Sequence, residues 1–121
     1  MAVTYFKNGI KTESVDVVAS TFTATGNDTT QSATVTTSAG VVTTGALTTA
    51  ANAVTSVVLT LAGVVAGDVI LATVANGTNT VAVYVQSAIA TTNTVTITLR
   101  NGVNATTALN GTVKINYLVL K

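Results

Sequence analysis

The sequence predicts an all-β domain, an antiparallel sandwich or barrel, and three observations carry that expectation. First, 27 Thr, 21 Val and 18 Ala make up more than half of the 121 residues. Thr and Val are β-branched, which favours the extended backbone of a pleated sheet. Second, apolar and polar residues alternate at period two over several stretches, and no segment carries a helical period. Third, Asn-Gly pairs punctuate the chain at Asn8-Gly9, Asn76-Gly77, Asn101-Gly102 and Asn110-Gly111. Both residues tolerate positive φ, which tight turns between strands demand.

Taken in order, residues 14–24 read as one strand or two around Val15, Val17, Phe22 and Ala24, and Gly26-Asn27-Asp28 then breaks the chain. Residues 31–37 and 40–48 read as short Thr-rich strands hinged at Ser38-Ala39-Gly40. The stretches 54–61 and 68–75 are more continuously apolar, which predicts central strands. In 80–86, Val81, Val83 and Val85 oppose Ala82, Tyr84 and Gln86. In 94–100, Val95, Ile97 and Leu99 oppose Thr94, Thr96, Thr98 and Arg100. In 112–120, Val113, Ile115, Tyr117 and Val119 form one face against Thr112, Lys114 and Asn116. Leu118 and Leu120 interrupt the polar face and predict burial on both sides there. The count is about eight strands, the longest loop is 101–111, and neither linker nor repeat divides the chain. Residues 1–121 are therefore expected to form a single domain, long enough to bury roughly 60–70% of its unfolded surface without metal or disulfide staples.

Composition excludes more functions than it suggests. There is no His and no Cys, so no ordinary base activates a hydroxyl, no thiolate attacks, and zinc lacks its usual ligands. The four acids are Glu13, Asp16, Asp28 and Asp68. Glu13 and Asp16 are at odd spacing and would face opposite sides of one strand, so no carboxylate pair suggests glycoside hydrolysis. A calcium site at Asn27-Asp28 or Asp68 lacks a second acid at ligand spacing. No enzyme, cofactor or metal is expected. Lys7, Lys11, Arg100, Lys114 and Lys121 are scattered in a chain of formal charge +1, which gives no purchase on nucleic acid.

Residues 53–75 have roughly the length of a bilayer span, but Asp68 inside it would cost about 2.5–3.5 kcal/mol, and the Gly63 and Gly67 turns interrupt it. No membrane partner is expected. The first nine residues carry no apolar secretory core, which predicts synthesis and folding in a cytoplasm. The sequons at Asn27, Asn76, Asn104 and Asn110 then read as turns rather than glycan acceptors.

An uncharged, Thr-rich sheet has a cost. Edges without Lys, Glu or Pro invite other strands unless the barrel closes or copies pair, so permanent contact with further copies is expected. The segment 1–13 concentrates Tyr5, Phe6, Lys7, Lys11 and Glu13 in a chain with few aromatics and charges. It reads either as a first edge strand turning at Asn8-Gly9 or as an arm that anchors the domain on a larger assembly.

Four stretches taken together, SAGVVTTGALTTAANA (38–53), GDVILATVANGTNT (67–80), NTVTITLRNG (93–102) and ALNGTVKINYLVLK (108–121), resemble a family of small bacteriophage virion proteins over roughly residues 33–121. Such domains occur alone as capsid decoration (cement) proteins and as terminal domains of head or tail fibres. The resemblance implies a jelly-roll-like sandwich, a homotrimer, and the major capsid protein as partner on the virion surface. It supplies no catalytic residue. Under it, Tyr5, Phe6, Lys7 and Lys11 would contact the capsid, and loops carrying Asn76, Asn79, Asn101 and Asn104 would face outward. The alternative is a receptor- or glycan-binding domain of a fibre or adhesin that takes a host-surface glycan. Tyr84 is the surface aromatic for that role, whereas Tyr117 shares a face with Val113 and Ile115 and belongs to the core.

Overall fold

A computed structural model describes residues 20–102 and 106–121. It is all-β. The strands are β1 (Ser20–Thr23), β2 (Thr25–Gly26), β3 (Thr30–Thr34), β4 (Ala39–Thr43), β5 (Val54–Thr60), β6 (Val69–Asn76), β7 (Val83–Thr91), β8 (Thr94–Asn101) and β9 (Val113–Leu120). They form two packed sheets, ordered β1-β4-β9-β6 and β2-β3-β5-β8-β7. The expected β-sandwich is present. The segment 53–75, weighed above as a span, is the two strands β5 and β6 with a turn between them.

The core lies where the period-two pattern places it. Val95, Ile97 and Leu99 of β8 face Val113, Ile115, Tyr117 and Val119 of β9 across the sandwich, all buried. Val57 and Leu59 of β5 and Val42 of β4 complete its centre. Burying side chains of this size contributes roughly 1.5–3 kcal/mol each, the main return against chain entropy.

Most neighbouring strands run antiparallel, as expected, but β1/β4 and β3/β5 are parallel. Parallel neighbours need a crossover. Here a strand of the opposite sheet supplies it: β4 lies between β3 and β5 in sequence, and β2 and β3 lie between β1 and β4. Among the described strands only β2–β3 and β7–β8 are hairpins, so the other connections cross between the two sheets or span longer loops.

Three local expectations change. Residues 68–75 were expected to form a central strand, yet β6 is the edge of its sheet, and Val69 and Leu71 are 53% and 52% exposed. Leu120 was expected to be buried from both sides and is 44% exposed. In both cases the apolar run marks an uncovered outer face among the described residues. The Asn-Gly pairs at 76–77, 101–102 and 110–111 do not turn with positive φ. That geometry falls on Gly63, Gly67, Asn52 and Asn93, with Asn93 in the two-residue β7–β8 hairpin.

Candidate functional site

Three features stand out from the scaffold: a polar cluster beside Tyr84, an apolar outer face on β6 and β9, and a loop clasp between them in sequence.

Tyr84 projects from the outer face of β7 and is 48% exposed, as its alternation predicts. The β7–β8 register sets it opposite Arg100. Arg100 Nη1 donates to Gln86 Oε1 at 3.2 Å, which holds the guanidinium over the same face. The Tyr84 ring lies against Gly102, where any Cβ would collide with the ring edge. Glycine there lets the aromatic lie flat. An exposed ring, a cation and an amide thus share one end of the five-stranded sheet. Tyr84 was legible from sequence; its pairing with Arg100 and Gln86 depends on strand register and was not.

On the four-stranded sheet, Val69 and Leu71 of β6 lie opposite Leu120 and Leu118 of β9. Beyond them a shallow cavity of about 190 Å³ is lined by Leu71, Thr73, Asn116, Tyr117 and Leu118. Tyr117 itself points inward, as expected, and is 3% exposed; its hydroxyl donates to Thr37 O at 2.9 Å. Burial holds its phenol above the usual tyrosine range, partly opposed by the Thr37 hydroxyl, 3.5 Å from the phenol oxygen.

The clasp explains both Asn-Gly-Thr triplets, at 76–78 and 110–112. Thr78 N donates to Thr112 Oγ1 and Thr112 N donates to Thr78 Oγ1, both at 2.9 Å. Gly77 N and Asn79 N both donate to Thr112 O. A Cβ on Gly77 would strike Thr112, and one on Gly111 would strike Thr78. These glycines therefore serve the close approach of two segments of the chain rather than positive φ. Thr80 N donates to Asn110 Oδ1, and Asn110 Nδ2 returns a bond to Thr80 Oγ1, both at 2.8 Å.

Among the residues expected to face outward, Asn76 is exposed at the end of β6. Asn79 and Asn101 are not: they are 2% and 1% exposed. Asn79 donates to Asn76 Oδ1 and Val81 O and accepts from Asn110 N, so it fills the clasp. Asn101 donates to Thr49 O and Thr107 O and ties the end of β8 to two loops. A short amide in a turn that buries its backbone is more useful inside, where it satisfies groups water cannot reach. Tyr5, Phe6, Lys7, Lys11 and Asn104 lie outside the described residues.

The two acids described are occupied as acceptors. Asp28 takes Thr48 N at 2.7 Å and Thr48 Oγ1 at 2.5 Å, and these bonds hold its carboxyl below the usual range. Asp68 is lowered by the amide of Val65 and by Lys121, with which it pairs at 3.0 Å. Among the described residues no three of His, Cys, Asp and Glu come together in a way that could hold a metal ion. The arrangement can bind through aromatic, apolar and amide contacts. No family model, curated protein or solved structure matches the chain.

Proposed function

We propose that this chain is a non-enzymatic virion structural protein, a capsid decoration protein that binds the major capsid protein on a bacteriophage head as a homotrimer. The observation that carries the reading is the resemblance of four stretches, which fall on β4, β6, β8 and β9. Three of these strands, β4, β9 and β6, are adjacent in one sheet. The low charge and the apolar outer face at Val69, Leu71 and Leu120 support permanent contact with protein surfaces. Each copy would bridge neighbouring capsid subunits and add buried area that resists the pressure of packaged DNA. Tyr5, Phe6, Lys7 and Lys11 are the proposed anchors. The test is binding to capsids purified without this chain: saturable binding that slows their heat disruption is expected, and no binding overturns the reading.

A second reading is a host-glycan contact, favoured by one observation, the exposed Tyr84 beside Arg100 and Gln86. Sugars stack on aromatic faces and take hydrogen bonds from guanidinium and amide groups. A glycan array probed with the chain and with Tyr84→Ala tests it: signals lost in the variant are expected, and a blank array for the parent chain removes this reading.

A further inference from the structure

The clasp requires the same chemically labile dipeptide twice. Its asparagines serve through their side chains: Asn76 Oδ1 accepts from Asn79 Nδ2 at 2.9 Å, and Asn110 makes two bonds with Thr80, both at 2.8 Å. Its glycines serve through close packing, since a Cβ on Gly77 would strike Thr112 and one on Gly111 would strike Thr78. Asparagine is a thermolabile residue, and a following glycine makes it most so. Nothing on glycine hinders the attack of its backbone nitrogen on the neighbouring side chain.

The reaction needs only water. The glycine nitrogen bonds to Cγ of the asparagine, the Cγ–Nδ2 bond breaks, and Nδ2 leaves as ammonia with the proton the glycine gave up. The cyclic imide that remains is opened by water at either carbonyl, to aspartate or to isoaspartate. In the folded chain both reacting groups are engaged. Gly77 N donates to Thr112 O at 2.9 Å, and Gly111 N donates to Leu47 O at 3.2 Å. Asn110 must break its bonds with Thr80, and Asn76 its bond from Asn79, before Cγ can turn onto the glycine nitrogen. An amide so bonded gives up its proton only when its segment opens, as in hydrogen exchange. Asn101-Gly102 supplies a contrast outside the clasp: Asn101 is 1% exposed, and its Nδ2 donates to Thr49 O and Thr107 O.

We infer that Asn76 and Asn110 are latent deamidation sites gated by the clasp: they convert when it opens, and isoaspartate at either one prevents it from closing again. The two products differ in what the clasp tolerates. Aspartate at 76 still accepts from Asn79 Nδ2. Aspartate at 110 still accepts from Thr80 N, and the Thr80 hydroxyl turns from acceptor to donor. Isoaspartate instead routes the backbone through the former side chain and lengthens it by one carbon. That displaces Gly77 N from Thr112 O, or Gly111 N from Leu47 O, so the gate works in one direction. The service life of the folded chain is then set by opening of the clasp rather than by unfolding of the whole domain. This goes beyond the virion reading and does not rest on it.

The test follows the full chain at mildly alkaline pH by peptide mapping, which reads the replacement of NH by O at each asparagine, with enzymatic methylation to count isoaspartate. In guanidinium chloride strong enough to unfold the chain, Asn76, Asn101 and Asn110 are expected to convert at similar rates. In buffer all three are expected to slow at least about tenfold, Asn101 the most. Equal rates at Asn76 and Asn110 with and without denaturant overturn the inference. Asn79→Ala leaves both clasp dipeptides intact but removes bonds to Asn76, Val81 and Asn110. In buffer it is expected to speed Asn76 and Asn110 about tenfold while Asn101 stays slow. Thr80→Ala, at an exposed position, removes the acceptor for Asn110 Nδ2 and serves if Asn79→Ala loses the fold. It is expected to speed Asn110 several-fold more than Asn76. Rates at Asn76 and Asn110 that stay at the parent value, or rise only in step with Asn101, in both variants overturn the inference. Chains isolated with isoaspartate at 76 or 110 are expected to show faster hydrogen exchange at Gly77 or Gly111, and exchange as slow as in the parent overturns the one-way gate.

Discussion

β6 and β7 are the two long edge strands, one on each sheet, and they solve the same problem differently. β7 has 9 residues, a bulge after Val85, and an outer face bearing Tyr84, Gln86 and the neighbouring Arg100. β6 has an unbroken register and an outer face of Val69, Leu71 and Thr73. The bulge breaks the register of β7, whose outer face carries polar side chains and an aromatic ring; β6 keeps an unbroken register and an apolar outer face, and the two edges run beside each other where the sheets meet. Within one fold of nearly uniform composition, side-chain chemistry and backbone regularity together decide what each edge presents to its surroundings.

The largest expected effect tests whether the two edges share one foundation. Ile97 is fully buried between the sheets. Ile97→Ala should lower stability by about 2–5 kcal/mol and release both edges in a single transition by denaturant titration. Separate transitions for β6 and β7 would break the comparison, since the edges would then belong to different cooperative units.

The clasp should act on one edge more than the other. Asn79→Ala removes buried bonds to Asn76, Val81 and Asn110, at a cost of about 1–3 kcal/mol. Exchange of the β6 amides near Asn76 should rise more than that of the β8 amides. Uniform loss across both sheets would show that the clasp serves the whole domain.

Acid probes the opposite end of β6. Asp68, just before the strand, has a folded-state carboxyl held below its ordinary value by the Val65 amide and Lys121. A depressed carboxylate contributes stability that is present above the unfolded value, about 3.9, and lost as pH falls through the folded value. Wild-type denaturation midpoints should therefore drop on going from neutral pH to below about 4. Asp68→Asn should reduce that drop, and the Asp28 carboxylate, lowered by Thr48, should account for a further part of it. An identical drop in Asp68→Asn would remove Asp68 as a clamp on β6.

The smallest effect is expected on β7. Tyr84 is exposed, so Tyr84→Ala should change stability by no more than about 0.5 kcal/mol while altering any glycan signal. A large loss would mean that its packing on Gly102 supports the hairpin, and the face would then be structural.

How much of this was legible beforehand depended on the range of the cause. Alternation in 94–100 and 112–120 marked the core face residue by residue and placed Tyr117 inside, and alternation in 80–86 placed Tyr84 outside. The Gly63 and Gly67 turns were legible for the same local reason, and both take positive φ. Asn79 and Asn101 were not, because an amide in a turn looks the same whether it meets water or another loop. Arg100 and Gln86 gained meaning beside Tyr84 only through the β7–β8 register.

By itself, then, the sequence determined the class of fold, an approximate strand count against the nine strands of the described residues, and which side of most of those strands enters the core. Those follow from side-chain branching, period-two burial and local turn chemistry, all readable within ten residues. Tertiary structure alone decided that β6 is an edge, that two strand pairs run parallel, and that Asn79 and Asn101 are interior. A continuous apolar run records that a strand has two greasy faces. Whether both are covered depends on what other parts of the chain, dozens of residues away, bring against them, and in β6 the outer face carries no strand among the described residues.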